Sequence, residues 1–313
     1  MFVKTLKWIC LAAIFVALNG CGGNDSVQSR VERAHKRNDG PAIWKVTDSN
    51  STLYLFGSVH MFPDNTDWQR RDMQAAFSSV GTVFFETPDD LEADLEMSLL
   101  QQKLGQYPSG ERLSDHLDSL MLKRMTAAAH NSGIPQTALE AFKPWLVADL
   151  LTIAAANQAG LHAENSVDVV MREKAKFAKK HIIALDDNKT YIEAVALQPD
   201  WVQIENLAAI ITDFDTVGDD MRRVNEQWLV GNVPFIEERM ILPYKEKNPE
   251  MYETLFKNRN ERWGETLDKF MRGDTSAMVV VGIGHLVGPD SLIVQLRERG
   301  YTAKRERRFD LPN

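Results

Sequence analysis

Cysteine is scarce in this chain of 313 residues, which holds only Cys10 and Cys21. Cys10 lies inside an apolar segment with the marks of a removable leader, so Cys21 would stand alone afterwards and no intramolecular disulfide could form. No basic block with interleaved aromatics is present, and the net charge is −8 with a pI near 5.5. This gives no reason to expect attraction to phosphate backbones, and nucleic acid is not expected as a partner. Long hydrophobic runs are missing too. The two strongest, Trp8–Leu18 and Trp145–Ala156, fall well short of the roughly 20 apolar residues that a membrane-spanning helix needs. What is present is enough apolar material, 44% of residues, to bury a sizeable core as one large domain or two intimate halves.

The first twenty residues read as an export signal. Lys4 and Lys7 give a positive start, Trp8–Leu18 gives an apolar stretch, and small residues follow before Cys21. The ending Leu18-Asn19-Gly20-Cys21 resembles the lipobox of bacterial lipoproteins, with Asn19 a departure at the second position. That resemblance implies cleavage before Cys21, acylation of its thiol, and anchoring of the mature chain in a membrane. Acylation would also remove the liability of one unpaired thiol in an oxidising compartment. Gly22 rather than Asp after the cysteine resembles outer-membrane sorting, which places the domain in the cell envelope facing the periplasm. Residues 22 to about 40 are polar and closed by Gly40-Pro41, so residues 21–41 are expected to be a lipidated cysteine and flexible tether. The folded domain is expected over 42–313.

Within that domain, Thr52–Phe56 is a short apolar run between a Asp48–Ser51 turn and Gly57, the pattern of a buried strand. It continues as Gly57-Ser58-Val59-His60. Far along the chain, Ala277–Val281 is a second such strand and runs into Gly282-Ile283-Gly284-His285. Each Gly-x-x-His is followed by a helix-compatible segment (67–79 and 289–299), a glycine (Gly81, Gly300) and another strand (82–86, 301–303). Two strand, Gly-x-x-His, helix, strand halves have the form of crossover units. The expected fold is α/β, a central mixed sheet built from these halves with a large helical insertion between them.

In open α/β sheets ligands bind at the carboxyl ends of strands, where His60 and His285 would sit as neighbours, with Glu86 closing the strand after the first crossover. A lone Gly-x-x-His is usually a loop histidine without a task. Two on matching units, with a carboxylate held behind Val83-Phe84-Phe85, suit zinc, manganese, iron or cobalt with positions left open for water and substrate. The other histidines read differently: His35 falls in the tether, His116, His130 and His162 in polar helix-rich surroundings, and His181 ahead of an Ile182–Leu185 strand.

The segments Leu53–His60, Phe84-Phe85-Glu86, Arg259-Asn260 with Trp263, and Val281–Gly288 resemble, in order, the motifs of the TraB/GumN family, across about residues 42 to 308. The family is related to the Tiki metalloproteases and to the EreA/ChaN-like fold. The resemblance implies a mixed sheet flanked by helices and a divalent-metal site (manganese, cobalt or zinc) of two histidines and an acid, here His60, His285 and Glu86. It also implies peptide-bond cleavage as the chemistry of the better-known relatives. Arg259 and Asn260 enter through the same motif: an arginine can hold a carboxylate or stabilise developing charge, whereas Asn260, as the adjacent helical residue, is expected on another face. Asp168 follows Val167 without the glycine of the family pattern, and Leu185-Asp186-Asp187 replaces a Leu-Glu pair, so Asp168, Asp186 and Asp187 receive no role. Helices are expected over 114–131, 144–159, 167–180, 200–213, 219–230 and 249–272. The function expected is a metal-dependent hydrolase acting on a peptide or another amide or ester. The alternative is a non-catalytic lipoprotein that captures a peptide or serves the envelope.

Overall fold

The computed structural model describes residues 40–306; the export segment, Cys21 and nearly all of the expected tether lie outside them. The chain divides into two compact units, the first formed by residues 89–163 and 187–223 and the second by residues 40–88, 164–186 and 224–306.

The second unit carries a six-stranded mixed sheet. Its strands are β1 (Ile43–Thr47), β2 (Thr52–Ser58), β3 (Thr82–Phe85), β4 (His181–Ala184), β5 (Ser276–Gly282) and β6 (Thr302–Glu306), in the order β4-β3-β5-β2-β1-β6. β4, β3, β5 and β2 run parallel, and β1 lies antiparallel to both β2 and β6. Ala277–Val281 in β5 have no exposed surface, as expected of a central parallel strand covered on both faces. β2 returns through the helix Arg71–Ser79 to β3, which sits one strand away with β5 between them. β5 returns through the helix Leu292–Glu298 to β6, crossing over β2 and β1. The two halves are thus interleaved, each inserting a strand of its own between those of the other, and this is what brings both Gly-x-x-His turns to one edge.

The structure differs from the sequence pattern in four places. β1 is a strand that the pattern did not reveal, and Gly40 and Pro41, assigned to the tether, are buried, with Arg70 Nη1 donating to the Pro41 carbonyl. The helical insertion is interrupted, because residues 164–186, with the helix Val167–Phe177 and β4, belong to the sheet unit. The expected 249–272 helix contains a π-turn over Glu253–Lys257 before its last segment, Asn258–Met271.

The first unit is helical. Its centre is Pro144–Gln158, started by Pro144 at its first position and buried along Trp145, Leu146, Val147, Ala148, Leu151 and Ala155. Helices Leu91–Gly105 and Asn188–Ala196 also belong to it and were not foreseen. In the former, Leu91, Leu95 and Leu99 are exposed, so the apolar pattern marks no single buried face and the periodicity is blunted. Asp187 accepts a hydrogen bond from the Thr190 amide, 2.6 Å, and caps the Asn188–Ala196 helix. No helix among the described residues is long and apolar enough to cross a membrane.

Candidate metal and catalytic site

The parallel register places Gly57 beside Val281 and Ser58 beside Gly282, so the two Gly-x-x-His turns leave the sheet side by side, one residue out of step. Close packing explains the glycines. A Cβ on Gly57 would lie 2.3 Å from Ile283 Cδ1, and one on Gly282 would lie 3.1 Å from His60 Nε2 and 3.2 Å from Glu86 Oε1. The first turn is held from behind by Trp228, whose Nε1 donates to the Gly57 carbonyl at 2.8 Å, and by Asn225, which donates to the Met61 carbonyl at 2.9 Å. The second turn packs on aromatics: the His285 ring lies 5.1 Å from Phe256 and 4.4 Å from Trp263, centre to centre.

Glu86 follows β3 directly and is buried. Its Oε1 accepts the Gly282 amide at 2.6 Å, and its Oε2 accepts Arg259 Nη2 at 2.9 Å. Burial alone would push its pKa up; Arg259 foremost, then the two histidines and the Gly282 amide, bring it down to about 2. Arg259, 1% exposed, also donates from Nε to Asp186 Oδ2 at 2.7 Å and from Nη1 to His285 Nε2 at 3.3 Å. Arg262 reaches the other oxygen of Asp186 at 3.3 Å. Arg259 is therefore a hub that fixes two carboxylates and one imidazole, and its guanidinium is turned to these groups rather than to solvent.

Asn260 touches the same histidine from the other side. Its Nδ2 donates to the Asp290 carbonyl at 2.8 Å, which leaves Oδ1 to accept from His285 Nδ1 at 2.8 Å. The expectation that Asn260 would point away fails, because the His285 ring is wide enough for neighbouring helical residues to reach its two nitrogens. Burial is the main cause that depresses the His285 pKa to about 3, with Arg259 and His60 adding to it against Glu86, so the ring is neutral.

His60 is the more open of the pair, with 15% of its side chain exposed, and its Nδ1 lies 2.9 Å from Asp168 Oδ2. Burial lowers its pKa, but the charge and hydrogen bond of Asp168, helped by Glu86, outweigh this and raise it. Three expected residues, His60, Glu86 and His285, thus come together with Arg259 and Asn260 around them. Asp168 and Asp186, which the sequence pattern left without a role, join the group. The Asp in the first turn of a helix and the paired acids after β4 were visible, but nothing local tied them to the histidines.

The donor chemistry of these residues fits a divalent cation. His285 gives its Nδ1 proton to Asn260 Oδ1, so its Nε2 keeps a lone pair, and His60, whose Nδ1 faces Asp168 Oδ2 at 2.9 Å, would offer the same once neutral, as in histidines whose outer partner fixes them for a metal. His285 Nε2 and Glu86 Oε1 are 4.0 Å apart, within the span of two atoms each roughly 2.1 Å from a shared ion. Among the described residues no group of three or more histidine, cysteine or acidic side chains stands at metal-binding spacing. His285 Nε2 also accepts from Arg259, so loading an ion would require that guanidinium contact to relax.

No solved structure matches the chain. Two curated relatives, each named uncharacterized protein YbaP, from Escherichia coli (strain K12) and Shigella flexneri, are 25% identical over 260 residues, which is 82% of this chain and 92% of theirs. The profile of the TraB/PrgY/gumN family matches residues 42–305, which is nearly the whole described fold. The chain belongs to the TraB/PrgY/gumN family.

Proposed function

We propose that this chain is an envelope-anchored, divalent-metal-dependent hydrolase acting on a peptide or another amide or ester. One observation carries the reading: His285, whose Nδ1 is held by Asn260, and His60, whose Nδ1 faces Asp168 at 2.9 Å, stand beside a buried ionised carboxylate, so that each ring offers an Nε2 lone pair when neutral. His60, His285 and Glu86 would hold manganese, cobalt or zinc. Such an ion supplies Lewis acidity toward a carbonyl oxygen and lowers the pKa of a coordinated water. The residues of the chain do the rest. Arg259 holds Glu86 ionised and contributes a fixed positive charge to the site. Asn260 keeps the His285 ring in one orientation, and Trp263 and Phe256 exclude water from its flank. His60, with its partly exposed edge, marks the side from which a substrate arrives.

A second reading has its own support. His285 is 1% exposed and Arg259 occupies one oxygen of Glu86, features of a site closed for structure in a protein that binds its partner without cleaving it. The two are separated by metal analysis of the full chain together with a peptide-library cleavage screen, with and without added Mn2+, Co2+ or Zn2+. The hydrolase reading expects bound metal, metal-stimulated cleavage, and loss of both in His60→Ala and His285→Ala, since an open site with so few ligands cannot lose one and keep its geometry. Wild-type metal content in both variants refutes the site. Metal without cleavage, alongside capture of intact peptide, refutes the hydrolase.

A further inference from the structure

The geometry points to Asp168 as a positioning residue for His60: tied to Ser58, it holds the ring in the Nδ1–H form so that Nε2 presents its lone pair beside Glu86. The inference rests on the reading of His60 as a donor to the metal. Asp168 is 3% exposed and stands in the first turn of the helix Val167–Phe177, where a negative side chain is favoured. Ser166 starts that helix by accepting the Val169 amide, and the Val167 amide donates to the Val59 carbonyl at 3.1 Å. The helix start is thus fastened to the middle of the Gly57-Ser58-Val59-His60 turn.

Both residues that flank this fastening then meet Asp168. Ser58 Oγ, 1% exposed, donates to Asp168 Oδ1 at 2.8 Å, and His60 Nδ1 stands 2.9 Å from Oδ2. A carboxylate oxygen at this distance favours a proton on the His60 nitrogen that faces it. Without a partner on Nδ1 the proton would be free to sit on Nε2, on the side of Glu86. One turn further, Arg172 donates to the Thr87 carbonyl at 2.8 Å, tying the same helix to the residue after Glu86. A single helix therefore references both His60 and the Glu86 strand end. The second turn, Gly282-Ile283-Gly284-His285, has isoleucine where the first has Ser58, and its histidine takes its acceptor from Asn260 instead.

The test uses the full chain labelled with 15N-histidine, freed of metal by chelation, at alkaline pH where the ring is neutral. Long-range 1H–15N couplings report which ring nitrogen carries the proton, and His60→Gln identifies the signal among the seven histidines. The wild type is expected to carry it on Nδ1. Asp168→Ala is expected to move it to Nε2 or into exchange, whereas Asp168→Asn, with its amide oxygen in the place of Oδ2 and Ser58 Oγ accepting from its Nδ2, keeps it on Nδ1. Affinity for Zn2+ alone, by competition with a chromophoric chelator, is expected to fall roughly 10- to 100-fold in Asp168→Ala and less in Asp168→Asn. A wild-type ring protonated on Nε2 overturns the proposal without requiring any variant to fold, and so does an Asp168→Ala ring still locked on Nδ1. Equal Zn2+ affinity in wild type and Asp168→Ala overturns it as well. If the tautomers respond as expected but the wild type binds no Zn2+, the positioning stands and the metal reading fails.

Discussion

Replacing Arg259 by Met tests whether the site is held together by one buried charge. Arg259 is 1% exposed and bridges Glu86 at 2.9 Å and Asp186 at 2.7 Å. Methionine fills much of the same volume, so the packing against Trp263, whose ring lies 4.5 Å from the guanidinium, is largely kept. What is lost is the countercharge to two buried carboxylates. Glu86 keeps only the Gly282 amide, and Asp186 keeps Arg262, a half-exposed partner at 3.3 Å. Removing one member of a buried pair costs about 3–5 kcal/mol. With a urea slope of roughly 2 kcal/mol per molar, that corresponds to a midpoint lower by roughly 1.5–2.5 M. Tryptophan fluorescence and far-ultraviolet circular dichroism in urea, at pH 7 with chelator, measure it. The triple variant Glu86→Gln, Asp186→Asn, Arg259→Met removes all three charges and is expected to regain a good part of the loss. An Arg259→Met midpoint within about 0.5 M of wild type, or roughly 1 kcal/mol on the same slope, refutes the assignment of Arg259 as the hub.

Three further outcomes are expected. Gly282→Ala places a methyl 3.1 Å from His60 Nε2 and 3.2 Å from Glu86 Oε1; overpacking of this kind costs about 1–3 kcal/mol, and Zn2+ affinity should fall, so unchanged affinity by chelator competition would contradict the placement of the donors. For pH, the depressed His285 and Glu86 pKa values mean stability fully present above 6.5 and 4.5 respectively and lost as pH falls toward about 3 and about 2. Urea midpoints of the metal-free chain should therefore drop between pH 6.5 and 3 and drop less in His285→Asn, and parallel curves for the two proteins would argue against a buried neutral ring. The raised pKa of His60 acts in the opposite sense, its stabilisation being present below 6.5 and lost as pH rises through the folded value. Finally, Cys21→Ser should release the domain from the membrane fraction on cell fractionation, and its recovery there with no acyl chain on the wild type would refute the anchor.

Both strand-to-histidine turns, the buried strands Thr52–Ser58 and Ser276–Gly282, and Glu86 at the end of Thr82–Phe85 were legible because each is written in a few consecutive residues. So were the long helices with clear punctuation, Pro144–Gln158 above all. β1 was not, since its five residues begin with two buried neighbours rather than alternating, with no strong turn signal after Pro41, and so carry little local information. Leu91–Gly105 was hidden by its exposed leucines.

The partners of the site residues depended on tertiary structure for a single physical reason. Ser58 meets Asp168 across 110 residues and Arg259 meets Asp186 across 73, and no periodicity or motif spacing encodes such pairings. The sequence determined which side chains have the chemistry to bind a cation and put glycine where a Cβ would intrude. Interleaving of the two halves decided that the histidines share an edge, that Asp168 and Asn260 each fix one ring, and that Arg259 faces inward. These outcomes come from strand order and helix placement, which the summed burial of the whole sheet selects and no short segment specifies.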